Sequence, residues 1–192
     1  AQVDVGSLVA STQSIKTADF LSGNYVFEGL SSNAIINQGN VTAANGGAIV
    51  LIAAKIVNDG TLTAQRGNVL LGAGSKVTLD LGGPVKLQVE NSALETLISN
   101  GGAIHADGGH VLLTSQAART LASSVINNTG LIEAQTLATG EKGEIVLFAH
   151  DGTANSDGED ADADEHVAEI RVHQRHLVAM GSRQIRETME ST

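Results

Sequence analysis

A short pattern of about 20 residues recurs four times along this chain, and it constrains the fold more than any other feature. Each copy begins with Asn-x-Gly, continues as a short alternating strand, and reaches a second glycine before a run of Val, Ile and Leu. The repeated positions are Asn37, Gly39 and Gly47; Asn58, Gly60 and Gly67; Asn100, Gly102 and Gly109; and Asn128, Gly130 and Gly143. Such periodic self-similarity is typical of a solenoid, in which each repeat buries its apolar face by stacking on its neighbours.

The alternation within each copy predicts short strands that point every second side chain inward, as in Val41–Ala43 and Ile145–Leu147. We expect each inward Val, Leu or Ile to contribute about 1.5–3 kcal/mol when fully buried. The repeated asparagines are expected to stack as a ladder of hydrogen-bonded amides. The glycine of each Asn-x-Gly element is expected at a turn that requires positive φ.

Two segments outside the repeats predict extra-helical hairpins. Residues 20–27 contain alternating apolar positions around Gly23-Asn24, a pair typical of tight turns. Residues 76–90 contain two alternating stretches separated by Gly82-Gly83-Pro84. The second segment lies between the second and third copies, where an insertion leaves the strands themselves unchanged.

Composition agrees with a stacked fold and excludes several classes of function. The apolar residues are mostly Val, Ile, Leu and Ala, and aromatic residues make up only 2% of the chain. A net charge of −10 argues against nucleic acid as a partner, because phosphate binding needs clustered Lys and Arg. No apolar run approaches the roughly 20 residues of a membrane-spanning helix. The absence of cysteine is compatible with either a cytosolic or an exported protein.

The chain divides into residues 1–152, which carry the repeats, and residues 153–192, which begin with an acidic run. The second segment also carries a loose apolar stripe with helical spacing. The members of that stripe are Val167, Ile170, Leu177, Val178, Ile185 and Met189. We therefore expect an acidic linker followed by one or two short helices, or a partly disordered tail.

The consensus Ile-Asn-x-Gly-x-Val-x-Ala-x-x-Gly-Gly-x-Ile-x-Leu resembles the secretion domain of two-partner secretion exoproteins, the group of filamentous haemagglutinin and the high-molecular-weight adhesins. The opening residues 1–12 look like the stretch that follows the Asn-Pro-Asn-Gly signature of that family. Further similar pieces lie at residues 19–23, 50–53 and 112–118. The resemblance covers about residues 1–152.

This resemblance implies an all-β fold, a right-handed parallel β-helix with small extra-helical hairpins. It implies a secreted or cell-surface bacterial protein whose partner is an outer-membrane transporter with periplasmic recognition domains. A host-cell surface or the extracellular matrix is a further partner that an adhesin of this family would have. Because Pro84 is the only proline, the Asn-Pro-Asn-Gly signature is absent, and the resemblance implies an N-terminally truncated domain.

Two clusters in the tail invite a metal interpretation. Asp160, Asp162 and Asp164 have the 1-3-5 spacing of an EF-hand loop, but Glu165 and Arg171 occupy positions where that loop needs Gly and Glu. A solvated linker therefore explains the acids better. The second cluster contains histidines without zincin spacing, at His166, His173 and His176.

Nothing in the sequence indicates catalysis. His105 and His110 fall at outward positions of the third copy, where a surface role is expected. We predict no catalytic residue, no cofactor and no metal, and a fragment of a secreted adhesin that targets the exoprotein to its transporter. One alternative is the address domain of a cytolysin or contact-dependent toxin. Another is a β-helical polysaccharide lyase, which would need acids clustered in a groove.

Overall fold

The computed structural model of this chain describes residues 1–81, 85–91, 96–117, 126–135, 143–151, 167–172 and 177–178. Across these ranges the chain is built from strands, with one short helix of five residues. Within the same ranges, no helix has the length and apolar character needed to cross a membrane.

The elements follow one another along the chain as strands separated by short turns. In the first half they are β1 (Gln2–Val5), β2 (Leu8–Ser11), β3 (Ser14–Ile15), α1 (Thr17–Leu21), β4 (Tyr25–Glu28), β5 (Ala34–Asn37), β6 (Asn40–Ala43), β7 (Ala48–Ala53), β8 (Lys55–Asn58), β9 (Thr61–Thr63) and β10 (Asn68–Ala73). In the second half they are β11 (Lys76–Asp80), β12 (Lys86–Asn91), β13 (Leu97–Asn100), β14 (Ala103–His105), β15 (His110–Ala117), β16 (Ile126–Asn128), β17 (Leu131–Glu133), β18 (Glu144–Asp151), β19 (Val167–Val172) and β20 (Leu177–Val178).

Three parallel sheets form the walls of a solenoid, and each repeat contributes one strand to each wall. The ladder face consists of β5, β8, β13 and β16, and it carries the repeated asparagines. The open face consists of β1, β6, β9, β14 and β17. The covered face consists of β2, β7, β10, β15 and β18. The predicted parallel β-helix is confirmed.

The interior is filled by columns of identical or similar side chains. Ile49, Val69, Val111 and Ile145 occupy equivalent positions of successive coils on the covered face and are buried. Leucines fill the column two residues further along, because strands in register stack the same face of every coil. Medium-sized aliphatic residues suit such columns, which explains why the chain needs few aromatic residues.

In its central strands, β7 and β10, the covered face is buried on both of its sides. All six residues of β7 are buried, because Ile49 and Leu51 face the interior while Val50 and Ile52 pack against an outer layer. That layer is the extra-helical sheet, formed by β3, β4, β11 and β12. Burial on both faces explains why this strand is a continuous apolar run instead of an alternating one.

The extra-helical sheet confirms one predicted hairpin and corrects the other. Strands β11 and β12 pair antiparallel, as expected for residues 76–90. The hairpin expected at residues 20–27 is wrong, since residues 17–21 form α1 and only residues 25–28 form a strand. Strand β4 pairs antiparallel with β3 and with the distant β11, which gives it a partner on both edges. A local hairpin would leave one edge open.

The short helices expected in the tail are wrong at residues 167–172 and 177–178, which form strands. Strand β19 pairs antiparallel with β18, and β20 pairs antiparallel with β17. Without β19 and β20, the last coil would leave backbone N–H and C=O groups unpaired at its edge. The segment Val167–Val172 is also rich in β-branched residues, which suit a strand. The predicted boundary at residues 152–153, the acidic run and the three tail histidines lie outside the described residues.

Candidate partner-binding surfaces

The four repeated asparagines form one column on the ladder face. Pairing between strands places Asn37, Asn58, Asn100 and Asn128 at equivalent positions of successive coils. The side-chain Nδ2 of each donates to Oδ1 of the next, at 2.8, 2.7 and 2.7 Å. All the links point the same way along the solenoid. The ladder therefore joins the coils through side chains as well as backbone.

Three amides of the ladder, those of Asn37, Asn58 and Asn100, also make hydrogen bonds to nearby backbone groups. Asn58 Nδ2 donates to the carbonyl oxygen of Ala103 at 3.4 Å, and Asn37 Oδ1 accepts from the N–H of Gly39 at 3.1 Å. Asn58 and Asn100 are fully buried, so their amides need these partners. These contacts support a structural role for the column.

The repeated glycines form two further columns. A Cβ built on Gly60, Gly102 or Gly130 would lie less than 3.0 Å from the backbone oxygen of the glycine one coil earlier. This first column adjoins the asparagine ladder. The second column precedes the covered face at a different corner, where a Cβ on Gly67 or Gly109 would meet the same obstacle. Close approach of backbones therefore requires glycine at both corners.

The expectation of positive φ in the Asn-x-Gly elements is wrong. Positive φ occurs instead at the residue before the second glycine column, at Gly46 (φ 80°), Arg66 (φ 52°) and Gly108 (φ 73°). The turn geometry is therefore separate from the steric requirement, and Arg66 shows that the turn can be made without glycine. Gly143 departs from its column, because a Cβ there would meet the carbonyl oxygen of Ala134 in its own coil.

The N-terminal end of the solenoid presents open strand edges. In the described residues β1, β2 and β5 are the end strands of the three walls at this end. Three of the exposed large apolar side chains lie on them, Val3 (39% exposed), Val9 (43%) and Ile36 (60%). A strand edge beside exposed apolar side chains can accept another strand, through backbone hydrogen bonds and apolar contact together.

The extra-helical sheet carries a charged cluster on its outer side. Lys76 Nζ lies 2.7 Å from Glu90 Oε2, and the Thr78 hydroxyl donates to Glu90 Oε1. The hydrogen bond from Lys76, followed by that from Thr78, lowers the pKa of Glu90. In return, the hydrogen bond and charge of Glu90 raise the pKa of Lys76. Lys76 also lines a groove together with Lys16, Asp19 and Glu28.

Helix α1 exposes apolar side chains that the sequence did not single out. Phe20 is 56% exposed and Leu21 is 78% exposed, and the Phe20 ring meets Tyr25 edge to face at 5.9 Å. The helix has no buried residue, because it lies outside both the solenoid and the packed side of the extra-helical sheet.

Gln13 joins the extra-helical segment to the solenoid, and sequence reasoning missed it. Its side chain is only 6% exposed, and Nε2 donates to the carbonyl oxygens of Ser31 at 3.1 Å and Gly74 at 3.3 Å. Its Oε1 lies against Gly29 and has no hydrogen-bond partner in the described part of the chain. A single glutamine whose partners are backbone carbonyls leaves no pattern in the sequence.

The two histidines of the third copy each meet an acid of the fourth. His105 Nδ1 lies 2.9 Å from Glu133 Oε2, and His110 Nδ1 lies 3.2 Å from Glu144 Oε2. These are pairs on the solenoid surface, as an outward position implies. Among the described residues, no group of three or more His, Asp or Glu side chains could hold a metal ion.

The whole arrangement is similar to the HMW1 secretion domain from Haemophilus influenzae, known from a crystal structure, with a TM-score of 0.66 and 26% sequence identity. The similarity covers 76% of this chain and 38% of that chain, so this chain spans less than half of that structure. The predicted resemblance to the secretion domains of two-partner secretion exoproteins is confirmed, and it supports a fragment of such an exoprotein. No protein-family model and no curated protein sequence matches this chain.

Proposed function

We propose that this chain is part of the domain that directs a larger secreted exoprotein to its outer-membrane transporter. The observation that carries the proposal is the similarity to a secretion domain over 76% of the chain. The protein of similar structure is a secretion domain and not an enzyme. In this chain the asparagine ladder and the glycine columns make contacts that hold neighbouring coils together. The fold therefore supports presentation of a surface and not a reaction.

The proposed contact with the transporter's periplasmic domains is strand addition at the N-terminal end. The N–H of Thr12 donates to Ile52 O, on the side of β2 that faces β7. Because backbone groups alternate along a strand, the N–H and C=O of Val9 face the open edge. The side chain of Val9 is also exposed, so one residue offers both backbone and apolar contact.

Whether the parent protein is an adhesin or a toxin depends on the domains that accompany this one. We propose an adhesin exported to the bacterial cell surface, whose further partners are a host-cell surface or the extracellular matrix. A cytolysin or a contact-dependent toxin would use the same domain as an address. Attaching an unrelated passenger to this chain and measuring its export separates the addressing role from the activity of the parent.

Binding of the intact chain to the purified periplasmic domains of the transporter tests the proposal. Val9→Pro removes the outward N–H while leaving the bonds to β7 in place, and it should weaken binding by about tenfold or more, the loss of about 1.4 kcal/mol. Val9→Ala is the matched control, since it shortens the apolar side chain and keeps the N–H, and it should weaken binding less than Val9→Pro does. If the unmodified chain shows no binding, the transporter is not its partner. If Val9→Pro binds as well as the unmodified chain, the edge of β2 is not the contact.

A further inference from the structure

The C-terminal end of the solenoid is closed differently from every junction between coils. Each successive coil adds strands parallel to those before it, from β2 through β18 on the covered face. The last additions reverse direction, since β19 pairs antiparallel with β18 and β20 pairs antiparallel with β17. In the part of the chain that the structure describes, two of the three walls therefore end on an antiparallel strand from the tail.

The backbone groups of β18 show what the tail covers. The N–H of Glu144 donates to Gly109 O, on the side that faces β15. By alternation, the N–H and C=O of Ile145 and Leu147 face the opposite side, where they lie opposite Val172 and Ile170. Strand β18 has eight residues and β19 covers six of its positions. Without β19 the solenoid would end on a long edge of unpaired donors and acceptors.

Such an edge has a partner in the first coil of another copy of the chain. Leu8 of β2 stands in the same column as Ile49, Val69, Val111 and Ile145. Since the column is self-similar, β2 of a second copy can continue it beyond Ile145 in the same direction and register. A contact between the two different ends of a molecule is heterologous, and it generates open filaments instead of closed dimers.

We propose that β19 and β20 form a cap that prevents the C-terminal end of the solenoid from pairing with a second copy of this chain. The antiparallel direction of β19 interrupts the parallel stacking of the covered face, because a further parallel coil cannot pair with β19 in the register of the earlier coils. Strand β20 has only two residues, and short terminal strands resist further pairing. The cap occupies in the same molecule the edge that an incoming coil would need.

The test compares two proline substitutions in the full chain. Ile170→Pro removes the N–H that faces Leu147, and it should detach β19 and produce oligomers whose mean mass rises with concentration in light scattering. Glu169→Pro is the matched control, because Glu169 pairs with Phe148 and its N–H faces away from β18 by the same alternation. It should leave the chain monomeric.

Amide hydrogen exchange shows whether the cap itself is present. The amides of Ile145 and Leu147 should be protected in the unmodified chain, and in Ile170→Pro should exchange at least about tenfold faster, as for local opening at a strand edge. Rapid exchange of these amides in the unmodified chain would show that no cap forms. An Ile170→Pro chain that loses this protection and still remains monomeric at every concentration would also overturn the proposal.

Discussion

The side-chain amide of Asn58 donates to Asn100 Oδ1 at 2.7 Å, although 42 positions of the chain separate the two residues. Both side chains are fully buried, in an otherwise apolar interior. Asn58 also accepts from Asn37, so it is the link between three coils. A polar column in such a place can be retained only if every amide meets the next one.

Asn58→Ala should destabilise the solenoid by about 2–4 kcal/mol, since it leaves the buried Oδ1 of Asn100 without its donor and removes one of the two acceptors of the half-buried Asn37 Nδ2. Urea unfolding followed by far-UV circular dichroism measures this change. Asn127→Ala, an exposed asparagine on the same face, is the control and should stay within about 0.5 kcal/mol. If Asn58→Ala lowered the free energy of unfolding by a similarly small amount, the ladder would add no stability beyond that of the backbone pairing.

The first glycine column leads to a second prediction. A Cβ on Gly60 would overlap the backbone oxygen of Gly39, which has no rotamer by which to move away. Gly60→Ala should therefore cost about 3 kcal/mol, the upper part of the range for an overpacked core. The midpoint of thermal unfolding reports this loss. Gly6→Ala supplies the control, because nothing lies within 4 Å of its Cβ position; equal effects at the two glycines would refute the steric explanation.

The stacked strands and the asparagine column could be predicted because the sequence repeats them in register. Asn37 and Asn58 recur at the same place relative to glycine, so any fold that stacks the copies brings them together. The purpose of the glycines could not be read in the same way. A glycine required by close backbone approach and a glycine required by positive φ look identical in sequence, and only the structure assigns Gly60 to the first kind and Gly46 to the second.

Contacts between segments outside the repeats were beyond sequence reasoning. Strand β4 finds its partner in β11, about 50 positions later by the pairing of Tyr25 with Leu79, where local pattern suggested a hairpin. The tail forms strands because the last coil leaves open edges, a property of the assembled solenoid and not of residues 167–172 themselves. In both places tertiary pairing overrides a local preference.

Gln13 supports a third prediction, about the attachment of the extra-helical sheet. Gln13→Leu should cost about 1–3 kcal/mol, because the carbonyl oxygens of Ser31 and Gly74 lose their donor. Gln13→Glu should cost more, since a buried carboxylate would face the same two oxygens. Hydrogen exchange at residues 25–28 should accelerate in both variants. Gln38→Leu, at an exposed glutamine, is the control; unchanged exchange in Gln13→Leu would show that Gln13 does not hold this segment.

The charged cluster on the extra-helical sheet gives a pH dependence with a defined sign. The pKa of Glu90 lies below its ordinary value of 4.5, so its contribution to stability is present above the unfolded pKa and is lost as pH falls through the folded value. The pKa of Lys76 lies above its ordinary value of 10.5, so its contribution is present below the unfolded pKa and is lost as pH rises through the folded value. The contribution of the pair is therefore constant between these limits and small, because each side chain keeps 31% of its surface in contact with solvent, which screens the charges.

Lys76→Met isolates the larger of the two causes acting on Glu90. The pKa of Glu90, measured from the carboxyl carbon by nuclear magnetic resonance, should rise towards 4.5 and remain below it, because Thr78 still donates to Oε1. Lys86→Met removes a lysine from the same strand as Glu90, at a position paired with Asp80, and should leave the pKa of Glu90 unchanged. If Lys76→Met also leaves the pKa of Glu90 unchanged, the ion pair between Lys76 and Glu90 does not persist in solution. Any loss of stability as pH falls must then come from other carboxylates.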